Sequence, residues 1–179
     1  MEIIKTSIEG LVLIQPKVFQ DERGYFMESY KELLIEKNFP GVKFIQDNES
    51  KSSYGVLRGL HFQKAPYEQT KLVRVIHGEV LDVAVDLRPK SSTFGKHESV
   101  ILSAKNKKQL LIPKGFAHGF VTLSEEAVFY YKVDNPYSRD HESGIIYNDS
   151  SLSINWGISE SEIRVSPKDI ELKPFKLLK

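Results

Sequence analysis

Short runs of β-branched and aromatic residues recur along the chain, separated by proline, glycine and polar turn residues. Runs of this length at regular spacing are typical of strands in a sandwich or barrel. Within Val80–Leu87 the larger apolar residues alternate with Asp82, Ala84 and Asp86, which fall on the opposite face of the strand. The pattern predicts strands at Leu11–Ile14, Val42–Ile45, Leu72–Ile76, Val80–Leu87, Ser99–Leu102, Gln109–Ile112, Gly119–Leu123 and Val128–Val133.

Helical signals are few. Tyr30–Lys37 predicts one short helix that ends before an Asn-Phe-Pro-Gly turn, and Ser166-Pro167 predicts a short helical turn near the end of the chain. His77-Gly78 predicts the turn between two strands. No segment is rich enough in proline, glycine or serine to be a linker, and no internal repeat is found. The sequence therefore predicts a mainly β chain with a few short helices, forming a single domain over residues 1–179.

Composition narrows the classes of function. The chain has 179 residues, 40% of them apolar and 27% charged, with a formal net charge of +1. This near-neutral balance does not favour a nucleic-acid or membrane-surface partner. With no cysteine in the chain, disulfides, thiolate metal sites and cysteine nucleophiles are excluded. The first residues lack the features of a secretion signal, and no apolar run approaches the ~20 residues of a membrane helix, so a cytoplasmic location is expected.

The segment GVLRGLHFQ, residues 55–63, places Arg58 and His61 inside an otherwise apolar, strand-like run. Burying a charge or an unpaired imidazole is costly, which points to the wall of a pocket rather than to ordinary core. Lys71 begins the next apolar run. An arginine, a histidine and a lysine that converge on apolar walls can bind an anion and move a proton.

Two further spacings resemble the half-motifs of cupins, which are jelly-roll barrels. Gly55 precedes His61, and residues 113–118 have the form P-x-G-x-x-H, ending at His118. In metal-binding cupins the first half-motif carries two histidines one residue apart, but here the second position is Gln63. A carboxamide is a weak transition-metal ligand compared with imidazole, so we expect no tightly held metal. A lone histidine is more often a hydrogen-bonded interior residue, but two at pocket positions favour function.

Several long segments, in order over nearly the whole chain, closely resemble the dTDP-4-dehydrorhamnose 3,5-epimerase family, whose fold is of the cupin type. The segments are DERGYFMES (residues 21–29), FIQDNESKSSYGVLRGLHFQ (44–63), QTKLVRVIHGEVLDVAVDLRPKSSTFG (69–95), IPKGFAHGFVTLSEEA (112–127), YYKVDNPY (130–137), ESGIIYND (142–149) and SPKD (166–169). The sequence departs from the family pattern at Tyr147, where the family often has tryptophan, and at Pro136.

The resemblance implies an isomerase that inverts C3 and C5 of a 4-keto-6-deoxyhexose carried on dTDP, without a cofactor. Both carbons lie next to the C4 ketone, so their protons can be removed if the enolate is stabilised. In the family pattern His61 matches the base and Tyr131 the acid on the opposite face. Asp169 matches the carboxylate that orients the base, and Lys71 matches the cation near the C4 oxygen.

The remaining implied site residues bind the dTDP-4-keto-6-deoxyhexose. Arginine and lysine suit its diphosphate, whereas a thymine edge needs neutral donors and acceptors. Members of the family are homodimers that exchange N-terminal segments, so the resemblance implies a homodimer. The residues that match substrate-binding positions are Arg23, Glu28, Gln46, Asn48, Arg58, His118, Tyr137, Glu142 and Lys168.

Three alternatives stay open at this point. A relative that epimerises only one carbon, C3 or C5, of a related sugar would use the same residues. A metal-dependent cupin oxygenase is disfavoured by Gln63. A non-catalytic module that binds sugar nucleotides is disfavoured because binding alone needs no acid opposite a base.

Overall fold

The computed structural model describes residues 1–178, so Lys179 at the end of the predicted domain lies outside the described residues. Within this range the chain forms fourteen β-strands, two short α-helices and three 3-10 turns. The helices are α1 (Glu32–Asn38) and α2 (Pro167–Ile170), and the 3-10 turns are Arg139–His141, Glu160–Glu162 and Phe175–Leu178. The strands are β1 (Glu2–Lys5), β2 (Val12–Gln15), β3 (Val18–Asp21), β4 (Gly24–Met27), β5 (Gln46–Ser53), β6 (Val56–Gln63), β7 (Lys71–His77), β8 (Glu79–Asp86), β9 (His97–Ser103), β10 (Gln109–Ile112), β11 (Phe116–Thr122), β12 (Glu126–Val133), β13 (Glu142–Gly144) and β14 (Arg164–Val165).

Two antiparallel sheets carry the fold, and the main core lies between them. The first sheet has the order β1-β2-β10-β7-β12-β5, and the second has the order β13-β6-β11-β8-β9, with β14 added in parallel beside β6. Val73 and Phe129 of the first sheet meet Ala84 and Phe120 of the second in one buried cluster. Burial of these side chains is the main favourable contribution to folding. The prediction of a mainly β fold is confirmed.

Most predicted strands are present, but the one at Val42–Ile45 is wrong. These residues form no strand, although the Ile45 backbone N–H donates to the Val133 carbonyl oxygen at 2.9 Å, and Phe44 packs in the cluster that surrounds Ile35 of α1. The strand at this point is β5, whose sequence QDNESKSS is polar. It lies at the edge of the first sheet and pairs with β12 only, so most of its side chains face solvent or the space between the sheets.

Both predicted helical segments exist. Helix α1 begins two residues later than predicted, at Glu32, and ends at Asn38. Helix α2 follows Ser166, whose side-chain oxygen accepts a hydrogen bond from the Asp169 backbone N–H at 3.1 Å, as expected of an N-cap. No helix among the described residues is long and apolar enough to cross a membrane.

The segment from residue 164 to residue 176, which we call the C-terminal arm, is held against the second sheet at several points. Strand β14 begins the arm by pairing with β6. Lys173 forms a parallel bridge with Ile145, and the Phe175 backbone N–H donates to an Asp149 carboxylate oxygen at 2.8 Å. These contacts fix α2, in the middle of the arm, beside β6.

Two glycines allow β6 and β11 to approach closely. A Cβ added at Gly59 would lie 2.7 Å from the Gly119 Cα and from the His118 carbonyl oxygen, and one at Gly119 would lie 2.6 Å from the Arg58 carbonyl oxygen. Gly59 also has a φ of +118°, which favours glycine. The ladder between the two strands shifts register here, between His118 and Phe120. The irregular pairing lies directly beside the histidines described next.

Candidate active site

A cavity of about 640 Å³ opens between the two sheets. Strands β5, β7 and β12 of the first sheet form one wall, β6 and β11 of the second sheet form the other, and the C-terminal arm closes one side. The cavity is lined by Asn48, Glu49, Ser50, Val56, Leu57, Arg58, His61, Lys71, His118, Gly119, Phe120, Phe129, Tyr131, Arg164, Val165, Ser166, Lys168 and Asp169.

His61 and Asp169 form a tight pair in this cavity. They lie 108 residues apart in the sequence, and the His61 Nε2 is 2.6 Å from an Asp169 carboxylate oxygen. The Asp169 side chain is 5% exposed and that of His61 is 31% exposed, so the imidazole has a buried anchor and an open edge. Burial raises the pKa of Asp169, but the hydrogen bond and charge of His61 outweigh it, so the pKa lies below its usual value. The carboxylate therefore stays ionised and can stabilise an imidazolium.

Tyr131 occupies the opposite wall. It lies on β12 and shares a face with Phe129, whose ring centroid is 6.1 Å away. Burial raises the pKa of the Tyr131 phenol, and the charge of Arg58 offsets only part of this rise. The phenol therefore keeps its proton at neutral pH, as a proton donor must. A histidine on one sheet and a tyrosine on the other face the same space from two sides.

Lys71 supplies positive charge inside the cavity. Burial lowers the pKa of its ammonium group to about 8, and the carboxylates of Asp82 and Glu142 act against this lowering. At neutral pH the group is still charged, and its surroundings are partly stripped of water. An ammonium group in such a place stabilises negative charge better than one in bulk water.

The second histidine, His118, is held by a carboxylate to which the sequence analysis assigned no role. The His118 Nε2 lies 2.9 Å and 3.0 Å from the two carboxylate oxygens of Asp82. The Asp82 side chain is fully buried and that of His118 is 8% exposed. Strands β6 and β11 pair with His118 opposite His61, so the two imidazoles lie in the same part of the cavity. Each of them is hydrogen-bonded to its own buried carboxylate.

Asp82 could have been found from the sequence. It interrupts the β-branched run of β8. Burying a carboxylate in such a run costs free energy, as burying Arg58 or His61 does, and this cost points to a functional role. Arg164, Glu49 and Ser50 also line the cavity without having been singled out. They lie in polar segments with no comparable signal.

Three predicted binding residues form a connected group beside the cavity. The Lys168 ammonium group donates to a Glu142 carboxylate oxygen at 2.5 Å, and the Tyr137 hydroxyl donates to the same oxygen at 2.7 Å. Burial raises the pKa of Glu142, but these two hydrogen bonds lower it by more, so the pKa lies below its usual value. His61 and Lys168 also border a smaller recess that Glu142 lines. Tyr137 itself is 56% exposed.

The structure brings together most, but not all, of the predicted site. His61, Tyr131, Asp169 and Lys71 line one cavity, as do the predicted binding residues Asn48, Arg58, His118 and Lys168.

Five predicted residues do not line this cavity in the single chain. Arg23 lies on the β3–β4 hairpin and pairs with Asp21, and Glu28 follows that hairpin and pairs with Lys31. Gln46 begins β5, and its amide donates to the Asn48 side chain at 2.9 Å. The other two are Glu142, which lines the smaller recess, and Tyr137, which is hydrogen-bonded to Glu142.

Gln63 has a structural task. Its amide nitrogen donates to the carbonyl oxygens of Tyr67 and Pro136, at 2.7 Å and 3.1 Å, and its oxygen accepts from the Ser138 backbone N–H at 2.6 Å. The side chain thus ties together the two loops that precede β7 and β13. Among the described residues no group of three or more histidine, cysteine, aspartate or glutamate side chains is placed to hold a metal ion. That the protein needs no metal stays a prediction.

This arrangement suits proton transfer next to a carbonyl group. It offers a base with a buried counter-charge, a protonated phenol on the facing wall, and a cation in the same cavity.

Comparison with known proteins identifies the family. The family model described as dTDP-4-dehydrorhamnose 3,5-epimerase matches residues 5–176. The chain belongs to this family. A dTDP-4-dehydrorhamnose 3,5-epimerase from Shigella flexneri is 53% identical over 176 residues, which cover 98% of this chain and 96% of that protein. The family predicted from the sequence motifs is confirmed, and so is its enzyme class, an epimerase.

Solved structures of the dTDP-4-dehydrorhamnose 3,5-epimerase family share the fold. The crystal structure of the enzyme from Elizabethkingia anophelis NUHP1 has a TM-score of 0.94 at 53% identity, covering 98% of this chain and 97% of that one. A dTDP-6-deoxy-D-glucose-3,5-epimerase from Legionella pneumophila Philadelphia 1, in complex with dTDP-4-keto-L-rhamnose, has a TM-score of 0.95 at 47% identity, covering 99% and 94%. The predicted cupin-type fold is confirmed by this agreement.

Proposed function

We propose that the protein epimerises C3 and C5 of dTDP-4-dehydro-6-deoxy-D-glucose to give dTDP-4-dehydro-L-rhamnose, in the biosynthesis of dTDP-L-rhamnose. The observation that carries this proposal is the His61–Asp169 pair on one wall of the cavity with Tyr131 on the other. Membership of the family and the ligand named for the Legionella enzyme support the same substrate. The cytoplasmic location stays a prediction from the sequence.

In the proposed reaction His61 removes the proton from the carbon next to the C4 ketone. Because Nε2 is engaged by Asp169, Nδ1 is the nitrogen available to take the proton. The electron pair of the C–H bond moves into the enolate, and negative charge develops on the C4 oxygen. Asp169 stabilises the imidazolium, and the Lys71 ammonium group stabilises the enolate oxygen.

Tyr131 then donates its proton to the opposite face of the same carbon, which inverts the configuration. The resulting phenolate and imidazolium return to their starting states by exchange of one proton with solvent. The same residues serve C3 and C5, because both carbons flank the C4 ketone and the sugar need only shift within the cavity. A single-carbon epimerase would use identical chemistry and would differ only in exchanging the proton of one of the two carbons.

The decisive experiment is incubation with dTDP-4-keto-6-deoxyglucose in deuterium oxide, followed by NMR. Deuterium at both C3 and C5 is the expected result, and label at one carbon would identify the narrower enzyme. Absence of label from a protein that still binds dTDP would refute epimerisation and favour a binding module. Metal analysis of the active protein tests the oxygenase alternative.

Two variants test the assigned roles. His61→Ala should abolish exchange and leave dTDP binding nearly intact, whereas His77→Ala, at the distant β7–β8 turn, should retain exchange. Tyr131→Phe should reduce product formation more than initial proton loss, because the base is untouched. Equal loss of both steps would contradict the acid role of Tyr131.

We also propose that the active form is a homodimer in which the β3–β4 hairpin of one copy completes the cavity of the other. Support comes from the hairpin itself, which exposes the large apolar side chains of Phe19, Tyr25 and Phe26. Arg23 and Glu28, which match substrate-binding positions, lie on or beside this hairpin and away from the cavity of their own chain.

Mixing two inactive variants tests the exchanged arrangement. Arg23→Glu and His61→Ala are each expected to be inactive as pure dimers. In a mixed dimer one cavity has both native residues, so a subunit-exchanged mixture should recover roughly a quarter of the wild-type activity. No recovery in a mixture that demonstrably contains mixed dimers would show that Arg23 serves its own chain.

A further inference from the structure

Arg164 lies at the rim of the cavity, at the start of the C-terminal arm. Its backbone N–H donates to the Gly55 carbonyl oxygen at 2.8 Å, and β14 pairs it with Val56 of β6. Its side chain is exposed, and Asn48 and Glu49 of β5 line the same cavity. The backbone of Arg164 is therefore fixed at the rim, while the long side chain is free to turn toward a ligand.

The other basic residues of the cavity differ in how far they are already engaged. Arg58 donates from Nε to the Ser52 hydroxyl at 3.0 Å, and Lys168 is paired with Glu142. Over residues 1–178, the side chains of Lys71 and Arg164 make no hydrogen bond or ion pair with protein groups. Lys71 lies inside the cavity and Arg164 lies in solvent at its rim. Among the described residues, the cavity therefore has one unpaired cation in its interior, Lys71, and one at its rim, Arg164.

We infer that Arg164 binds the diphosphate of the sugar nucleotide, an inference that rests on the proposed function. A substrate whose keto sugar lies at the depth of Lys71 and His61 extends its diphosphate toward the rim. A guanidinium group offers paired donors that match phosphoryl oxygens, and Arg164 breaks no internal ion pair in binding them.

The position of Arg164 also determines which kinetic constant it affects. It lies at the rim, away from His61, Lys71 and the reacting carbons. Its contact is therefore the same in the ground state and in the transition state, and such uniform binding lowers KM without changing kcat. Because the side chain is solvated, the contact is also sensitive to salt.

The test compares Arg164→Gln and Arg164→Lys with wild type, using dTDP and thymidine as separate probes in calorimetry. Lys90→Gln, an exposed charge away from the cavity, is the matched control. Arg164→Gln should weaken dTDP binding about fivefold, the size of a solvated charge-assisted contact, and leave thymidine binding unchanged. KM for the substrate should rise by a similar factor with kcat unchanged, and Arg164→Lys should recover part of the loss.

Each contrary outcome has a distinct meaning. Equal dTDP affinity of Arg164→Gln and wild type, in an enzyme that exchanges deuterium, overturns the inference alone. An equal loss of dTDP and thymidine binding also overturns it, because the contact would then be to the nucleoside. A wild-type protein that neither exchanges deuterium nor binds dTDP overturns the proposed function and this inference together.

Discussion

Replacing Asp169 by asparagine removes one charge from the buried side of the proposed base and keeps nearly the same shape. The single amide oxygen can accept from only one of the two donors that the carboxylate faces, the His61 Nε2–H at 2.6 Å and the Gly59 N–H at 3.4 Å, and we take it to stay with His61 because that contact is the shorter. The N-cap bond to Ser166 uses the backbone of residue 169 and is also retained. The variant therefore tests the charge of the carboxylate rather than the position of the arm.

The size of the effect follows from the contact. The 2.6 Å separation from His61 and the 5% exposure of the carboxylate describe a charged hydrogen bond with little access to water. Hydrogen bonds to charged groups contribute about 1.5–3 kcal/mol. In the proposed step His61 takes the substrate proton and becomes an imidazolium, so losing the contribution of Asp169 raises the barrier of that step. At about 1.4 kcal/mol per factor of ten, the exchange rate should fall roughly 10- to 150-fold.

The assay is the initial rate of deuterium incorporation under saturating substrate, with dTDP affinity measured separately. We expect the rate to fall in Asp169→Asn while the Kd for dTDP stays within about twofold of wild type, as for an interaction made mainly in the transition state. Asp140→Asn, which removes an exposed carboxylate away from the cavity, is the control. A wild-type exchange rate in Asp169→Asn would refute the reasoning, and a matching loss of dTDP binding would show a structural role instead.

Three other predictions follow from the described contacts. Because the pKa of Lys71 is about 8, its charge is lost above that pH, and the rate of deuterium exchange should decline there. Lys71→Arg should remove this alkaline decline from the pH profile. An unchanged profile would exclude Lys71 as its cause. Gly59→Ala should destabilise the fold by about 1–3 kcal/mol more than Gly41→Ala, because both have positive φ but only Gly59 is crowded; equal melting temperatures would contradict this. Gln63→Ala should lower the free energy of unfolding by about 1–3 kcal/mol, because its hydrogen bonds to the loop around Tyr137 are lost. The looser loop should also raise KM, and an unchanged KM would show that Gln63 contributes to stability alone.

The sequence predicted the fold best where burial and strand propensity agree. Gln109–Ile112 is found as β10 with the predicted bounds, and all four of its residues are buried. The same logic failed at Val42–Ile45, where apolar residues pack against α1 without strand pairing, and it missed the polar edge strand β5. Hydrophobic patterns report which residues are buried, and an edge strand that faces solvent or a polar cavity does not carry that signal.

For the candidate site, too, some features could be predicted from the sequence and others could not. Motifs led to His61, Lys71 and Tyr131, and the structure places all three in one cavity. The sequence could not reveal that Asp82 reaches His118, because that contact depends on how β8 and β11 pair. Side-chain partners across a sheet are set by register, and register is a property of the whole fold.

The arm that carries Asp169 also has a consequence for the timing of activity during synthesis. Strands β5 to β12, with His61 and Tyr131, are all made before residues 164–176 leave the ribosome. A nascent chain can therefore pair both walls of the cavity while the proposed base still lacks its carboxylate. Proton abstraction at the full rate would begin only when the arm docks beside β6, so a chain interrupted before residue 164 would lack the carboxylate that stabilises the proposed base.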